Sequence, residues 1–402
     1  MHCKELIKGK KWVCVADGPT NPVTGKRRQI SRRGKSKGEA KKKVEEAIRS
    51  ISEDGIDTSV SKEITFEIAA NSWIEVYRRG NVKESTVDQR LGSMNTLFNY
   101  FGKVNIAKIT PTMYQNVIMH LDDKGSAYST IESIHTTANM IFKFAITKKW
   151  IKDNPRSGAL IPKRKLTVEE IENDSVKDKY LESSEVHAFL KAVTVIGLEQ
   201  DIEMFYLLAF TGMRSSELCA LKWTDINFEE KTIRITKTIY SKRNNRTEYE
   251  LTPPKTVASI REFDVDDVII ELLANLKDRK SLIKKSAFES DRPFHDENFV
   301  FSTNDGYPFL RGKVLERMER ILSTNVLSRR VTPHVFRHTH ISMLTEAGVD
   351  LRTIMERVGH DEAKTTLEIY THVTNKMKER AKEKVRIKFK DILNLPVLNE
   401  LE

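Results

Sequence analysis

The sequence predicts a multidomain protein, mainly α with small β-sheets. Three observations carry that expectation. The chain has 402 residues, whereas one domain usually takes about 100–200. Apolar residues recur at helical spacing between residues 64 and 150 and again after residue 263. Strand-like patterns gather near the N-terminus and between Thr232 and Leu251. The expected division is a small sheet-plus-helix module (1–58), a helical domain (64–155), a mixed α+β domain (175–390) and a C-terminal tail (391–402).

Composition narrows the class. A hydrophobic content of 39% with 31% charged residues is that of a globular protein. No run approaches the roughly 18 apolar residues of a membrane span. Lys4, Lys8, Lys10 and Lys11 are not followed by an apolar segment, so no signal peptide is expected. Cys3, Cys14 and Cys219 are too few and too scattered for a disulfide framework or a cysteine zinc site, which fits a reducing cytoplasm. Net charge is +11, and residues 1–50 hold fifteen Lys and Arg against five Asp and Glu. Nearly all the surplus therefore sits in the first eighth of the chain. A polyanion partner or a solvated basic tail both explain such asymmetry.

In the first module, Trp12–Val15 reads as a strand, and the Gly18–Gly25 stretch is dense in turn formers. Lys26–Arg33 reads as a basic strand whose Arg27, Arg28, Arg32 and Arg33 suit a DNA groove. Ser36 and Glu39 form a capping box before a helix striped by Ala40, Val44, Ala47, Ile48 and Ile51. Residues 59–63 read as a linker. Four helices follow. Phe66, Ala69, Trp73 and Val76 stripe the first, and Ser85-Thr86 precede the second. Thr110-Pro111 starts the third, and Ile131 to Ala145 stripe the fourth. Arg78, Arg79, Lys83, Arg90, Lys143, Lys148 and Lys149 are candidate phosphate contacts or solvated charges.

Residues 151–179 read as a charged connector. Ser183 caps the next helix, with Glu185 in its first turn. Thr232–Tyr240 alternates like a half-buried strand, Asn244-Asn245 forms a turn and Tyr249–Leu251 returns. Asn375–Phe389 is a basic amphipathic segment.

Several residues in this last domain can do chemistry. Arg214 opens a helix, where its fork of donors and the helix amides suit a phosphate. Glu217 lies one turn on, placed to orient a basic group. His334 and Arg337 share a helix face at i, i+3, one able to exchange a proton and the other to hold an anion. Zinc at His334 and His338 is the rival, although Val335 stands where a zinc hydrolase carries glutamate. Asp350 caps a helix that Gly359 ends, and His360 falls in the turn toward Tyr370. Alone, Tyr370 reads as a half-buried packing residue.

Arg214, a lysine in a strand turn, His334-x-x-Arg337, His360 and Tyr370, in this order and spacing, resemble the tyrosine recombinases, within them the phage and conjugative-transposon integrases. Pro253-Pro254-Lys255-Thr256 to Ser259-Ile260-Arg261 is similar to the family's lysine turn, which makes Lys255 the lysine. The resemblance covers residues 64–375 as core-binding and catalytic domains, and more loosely residues 1–58 as an arm-site-binding module.

It implies a metal-free and ATP-free exchange of DNA strands, with no cofactor. Tyr370 attacks the scissile phosphate, forming a 3′-phosphotyrosine and releasing a 5′-hydroxyl. Arg214 and Arg337 hold the phosphate, Lys255 protonates the leaving oxygen, His334 assists Tyr370, and His360 donates to the phosphate. Glu217 supports the constellation. The implied partners are duplex DNA at core-type and arm-type sites, three further copies in a tetramer, and an excision factor or DNA-bending protein. A catalytically dead regulator and a type IB topoisomerase are the competing functions. The filled set of positions speaks against the first, and the separate basic module against the second.

Overall fold

The structure, a computed structural model, describes residues 1–20, 27–53, 64–163, 179–254, 256–359 and 364–393. The chain forms two compact units, Met1–Lys165 and Leu166–Glu402.

The first unit contains two separate hydrophobic cores. In the smaller one, β1 (His2–Ile7), β2 (Lys11–Thr20) and β3 (Arg27–Gly34) make an antiparallel sheet in that order. Alternation along the strands puts Cys14 and Ile30 on one face, against Ala40, Val44 and Ala47 of α1 (Lys37–Glu53). Ser36 Oγ accepts from the Glu39 amide at 3.2 Å, and the Glu39 carboxylate reaches back to the Lys35 amide at 2.7 Å. The return bond thus goes one residue further than the capping box predicts.

The cysteine expectation needs correcting. Cys3 stands directly opposite Cys14 in the β1–β2 register, and a disulfide joins them. Eleven residues of sequence separation hide a pair that the hairpin makes adjacent. Only Cys219 is free, and it is buried. The expected basic face is also divided. Arg32 is half-buried, while Arg33, one residue on and across the pleat, is exposed. The side chains of Arg27 and Arg28 lie outside the described residues, as does the 59–63 linker.

The larger core of this unit belongs to α2 (Phe66–Arg78), α3 (Glu84–Phe101), α4 (Pro111–Asp123) and α5 (Tyr128–Thr147). Thr110 Oγ1 accepts from the Met113 amide at 3.2 Å, with Pro111 in the first turn, as its sequence signature requires. α3 begins at Glu84, so Ser85 and Thr86 lie inside its first turn instead of before it. Phe142 is fully buried, with ring centroids of Phe66 and Tyr114 at 5.7 and 5.9 Å. Arg90 is committed within the domain, since its Nη1 donates to Thr137 Oγ1 at 3.2 Å across the α3–α5 contact. Arg78 lies 3.5 Å from Glu84, Lys83 is half-buried, and Arg79, Lys143, Lys148 and Lys149 are exposed.

The second unit begins with α6 (Ser183–Ile196), α7 (Asp201–Thr211) and α8 (Ser215–Ala220). The cap of α6 is Glu182, not Ser183: its amide donates to Glu185 at 2.8 Å in a reciprocal box. Next come β4 (Ile226–Asn227), β5 (Thr232–Ile235), β6 (Thr238–Tyr240), β7 (Glu250–Thr252) and β8 (Arg261–Asp264). The single strand expected over Thr232–Tyr240 is two strands. β5 sits between β4 and β8, whereas β6 pairs with β7 in a separate hairpin. Between them Lys237 turns to the Asp225 carboxylate, at 2.6 and 2.7 Å.

Among the described residues, α9 (Asp267–Glu289), α10 (Arg311–Leu322), α11 (Val335–Glu346), α12 (Leu351–Val358) and α13 (Lys364–Leu393) follow. The basic segment Asn375–Phe389 is a continuation of the helix that carries Tyr370. The main core centres on Phe189, Phe205 and Phe336, with ring centroids 5.2 to 6.0 Å apart. A smaller core joins Tyr180 to Ile341, Ile354, Val358, Ile369 and Val373. Among the described residues no helix is long and apolar enough to cross a membrane.

Truncating Phe142 to alanine removes a ring packed on all sides and is expected to destabilise the helical domain by about 3–5 kcal/mol. Urea unfolding of the full chain checks it. A loss under about 1 kcal/mol would show that this ring is not central to the core.

Candidate active site

α7 ends at Gly212 with φ +62°, where a Cβ would stand 2.9 Å from the His340 ring. The missing side chain lets the end of α7 lie against α11, and the chain turns to place Arg214 at the cap of α8. Glu217 accepts from the Arg214 backbone amide at 2.9 Å and from its Nη1 at 2.7 Å. The Glu217 side chain is fully buried, and Arg261 Nη2 donates at 2.9 Å to Oε2, the oxygen that also accepts from the Arg214 amide. Burial pushes the carboxyl pKa up, but the charges and hydrogen bonds of Arg261 and Arg214 outweigh it and bring it down to about 2.

Arg337 lies on α11, completely buried. Its Nη1 donates to the Gly212 carbonyl at 2.9 Å and its Nη2 to the Val358 carbonyl. Burial, and then the nearby Arg214 charge, lower its pKa well below the usual arginine value. A buried guanidinium in that environment gains strongly from an anion.

The end of α12 ties these groups together. Arg261 Nε donates to the Arg357 carbonyl at 2.8 Å, Arg337 Nη2 to the Val358 carbonyl and Arg214 Nη2 to the Gly359 carbonyl at 3.4 Å. Three successive carbonyls at one helix C-terminus thus face three arginines. The helix leaves these acceptors unpaired and carries partial negative charge there. Gly359, at φ +68°, makes the approach possible, because a Cβ would meet the Ala258 carbonyl and Arg261 Cδ at 3.1 Å. Asp350 caps the other end of α12, accepting from the Arg352 and Thr353 amides as the sequence requires.

Beside this end lies a cleft of about 540 Å³, lined by Arg214, Ser215, Ser216, Arg311 and His334 among others. Burial, and then the charges of Arg337 and Arg214, hold His334 below the ordinary histidine pKa. Its ring meets His338 edge to face at 4.6 Å. Among the described residues no group of three or more His, Cys, Asp or Glu converges there. His334 caps α11, which begins at Val335, two residues beyond Pro333.

Tyr370 lies on α13, half-buried against the core that Ile341 of α11 and Ile354 and Val358 of α12 help to form. The helices carrying Arg337 and the three-carbonyl end therefore also seat the tyrosine. Among the described residues its hydroxyl forms no hydrogen bond with Arg214, His334 or Arg337. Lys255 and His360 lie outside the described residues. Their described neighbours do meet: Thr256 Oγ1 is 3.1 Å from Ser259 Oγ, which donates to the Gly359 carbonyl at 3.4 Å.

Sequence reasoning missed Arg261 and Arg311. Arg261 was visible as the final residue of the lysine turn, but nothing local shows what it reaches. Arg311 opens α10 and lines the cleft, a place no local pattern marks.

Two family models match the chain: the Phage integrase family over residues 179–377 and the Phage integrase central domain over residues 66–159. The chain belongs to the phage integrase family and is a tyrosine-type site-specific DNA recombinase. It is 29% identical to a prophage ps2 probable integrase of Lactococcus lactis, over 89% of this chain and 92% of that one. It is 26% identical to the ICEBs1 integrase of Bacillus subtilis, over 95% and 98%. In fold it is similar to a Tn1549 transposon integrase in complex with transposon right end DNA, at 21% identity and TM-score 0.61, covering 79% of this chain and 99% of that one. A lambda integrase tetramer bound to a Holliday junction shares the fold at TM-score 0.55 and 15% identity, covering 91% and 94%.

Burial and then Arg357 push the His340 pKa down to about 3, and burial and then His334 push His338 down to about 4. Unfolded, both take up a proton near pH 6.5, so below that the unfolded chain binds more protons and stability falls with pH. The melting temperature is expected to drop steadily from pH 7 to pH 4. His340→Gln should flatten that slope, and an unchanged slope would contradict the assignment.

Proposed function

We propose that this chain exchanges DNA strands at specific sites through a covalent bond between Tyr370 and a DNA 3′-phosphate, as the integrase of a mobile element. The observation that carries this reading is the pair Arg214 and Arg337, anchored side by side on the end of α12 next to the His334 cleft.

The chemistry follows from charge. The Tyr370 oxygen attacks phosphorus, the bond from phosphorus to the 5′-oxygen breaks, and that oxygen leaves as a hydroxyl with a proton from Lys255. His334 takes or orients the tyrosine proton. Negative charge grows on the non-bridging oxygens, where Arg214 and Arg337 supply preorganised cationic donors and His360 adds another. The phosphotyrosine keeps the energy of the phosphodiester, so a second 5′-hydroxyl reseals the strand without ATP. Glu217 holds Arg214 in place and meets no substrate atom.

The DNA-bound Tn1549 integrase and the tetrameric lambda integrase support a duplex DNA partner and a multimer, here a tetramer on two core-type sites. The basic module at residues 1–58 reads arm-type sites, with exposed Arg33 as one contact. Residues 64–155 grip the core site together with the catalytic domain at 175–390. A DNA-bending protein or excision factor sets the direction.

Tyr370→Phe is expected to abolish covalent complex formation on a nicked attachment-site duplex while leaving gel-shift affinity within about threefold. Continued nicking by that variant would remove Tyr370 as the nucleophile. Footprinting the full chain and a chain lacking residues 1–60 is expected to show two classes of protected site, one lost on truncation. A single class would remove the arm-binding role.

A further inference from the structure

We propose that Arg261 is a positioning residue for the phosphate-binding arginines, acting through Glu217 and the end of α12. This rests on the reading of Arg214 and Arg337 as the groups that hold the phosphate.

Arg261 spends its donors on protein. Nη2 goes to Glu217 at 2.9 Å, Nη1 to the Ser259 carbonyl at 3.1 Å and Nε to the Arg357 carbonyl at 2.8 Å. Its side chain is 5% exposed, so it forms no part of the cleft wall that meets substrate. Two of these three partners, Glu217 and the end of α12, lie on the elements that hold Arg214. The Glu217 carboxylate binds Arg214 Nη1, and the carbonyl two residues past Arg357 accepts from Arg214 Nη2. The carbonyl between them accepts from Arg337. Arg261 therefore fixes the spacing between the carboxylate on α8 and the end of α12, and that spacing aims both phosphate ligands.

The charge pattern adds a reason for an arginine here. Glu217 without Arg261 is a buried carboxylate with one cation, which closes onto Arg214 and withdraws it from a phosphate. A second guanidinium shares the carboxylate and leaves Arg214 oriented but available. Lysine keeps the charge but has no fork to span the carboxylate and the carbonyl together.

The test compares first-turnover cleavage on an ordinary attachment-site duplex and on one with a neutral methylphosphonate at the scissile position. The neutral group demands less of the arginines. Arg261→Met is expected to slow the ordinary substrate about 100-fold, the scale of a small misplacement at a reacting centre. On methylphosphonate the penalty falls below about tenfold, and added to Arg214→Ala the change costs less than about threefold. DNA binding and melting temperature confirm that the variant folds. If Arg261→Met does not fold, Arg261→Lys is read in its place, with a penalty of about tenfold on the ordinary substrate, relieved on methylphosphonate. Equal penalties on the two substrates, or full additivity with Arg214→Ala, overturn the proposal. Arg214→Ala alone separates the two readings: if it shows no relief on methylphosphonate, the phosphate assignment fails and additivity by itself decides on Arg261.

Discussion

A carboxylate removed from water must be compensated on the spot, and Glu217 is compensated by two arginines. Much of the second unit's local order around this carboxylate follows from that requirement. One arginine arrives from the cap of α8 and the other from the first residue of β8, so the ion group joins a helix and a sheet. Both guanidiniums have donors left over, and each also binds one of the last carbonyls of α12. Arg337, fully buried on α11, takes the carbonyl between them. The result is three cations held close together by one carboxylate and one helix end.

Such a cluster is electrostatically unfinished. Burial, and then the charges of neighbouring arginines, lower the pKa of Arg337 and of His334, and among the described residues the one carboxylate that Arg214 and Arg261 bind does not neutralise three arginines. An anion at the cleft relieves this strain. The folded chain holds these donors in place against repulsion, which is the condition that preorganisation requires.

The seat of Tyr370 has a different character. It is apolar, built by Ile341, Ile354 and Val358 from the same two helices. Tyr370 and the arginine cluster thus share a frame, although their own contacts differ in kind. α13 continues past Tyr370 to Leu393, so the helix that carries Tyr370 and the basic C-terminal segment are one element.

The sequence alone determined what depends on nearest neighbours. Helical spacing marked the four-helix domain, Thr110 and Asp350 announced their helix starts, and Gly359 announced a helix end. The order from Arg214 to Tyr370 named the family, because each of its motifs is short and local. What only the tertiary structure decided involves groups far apart in the chain. Arg261 reaches Glu217 across 44 residues, and Arg214 reaches Gly359 across 145. Arg90 turns out to serve its own domain through a side chain 47 residues away. Cys3 and Cys14 pair because a hairpin register aligns them, and the strand expected at Thr232–Tyr240 divides where Lys237 binds Asp225. Periodicity and capping are set by residues within a turn or two. A charged side chain chooses its partner in space, and no local pattern encodes that choice.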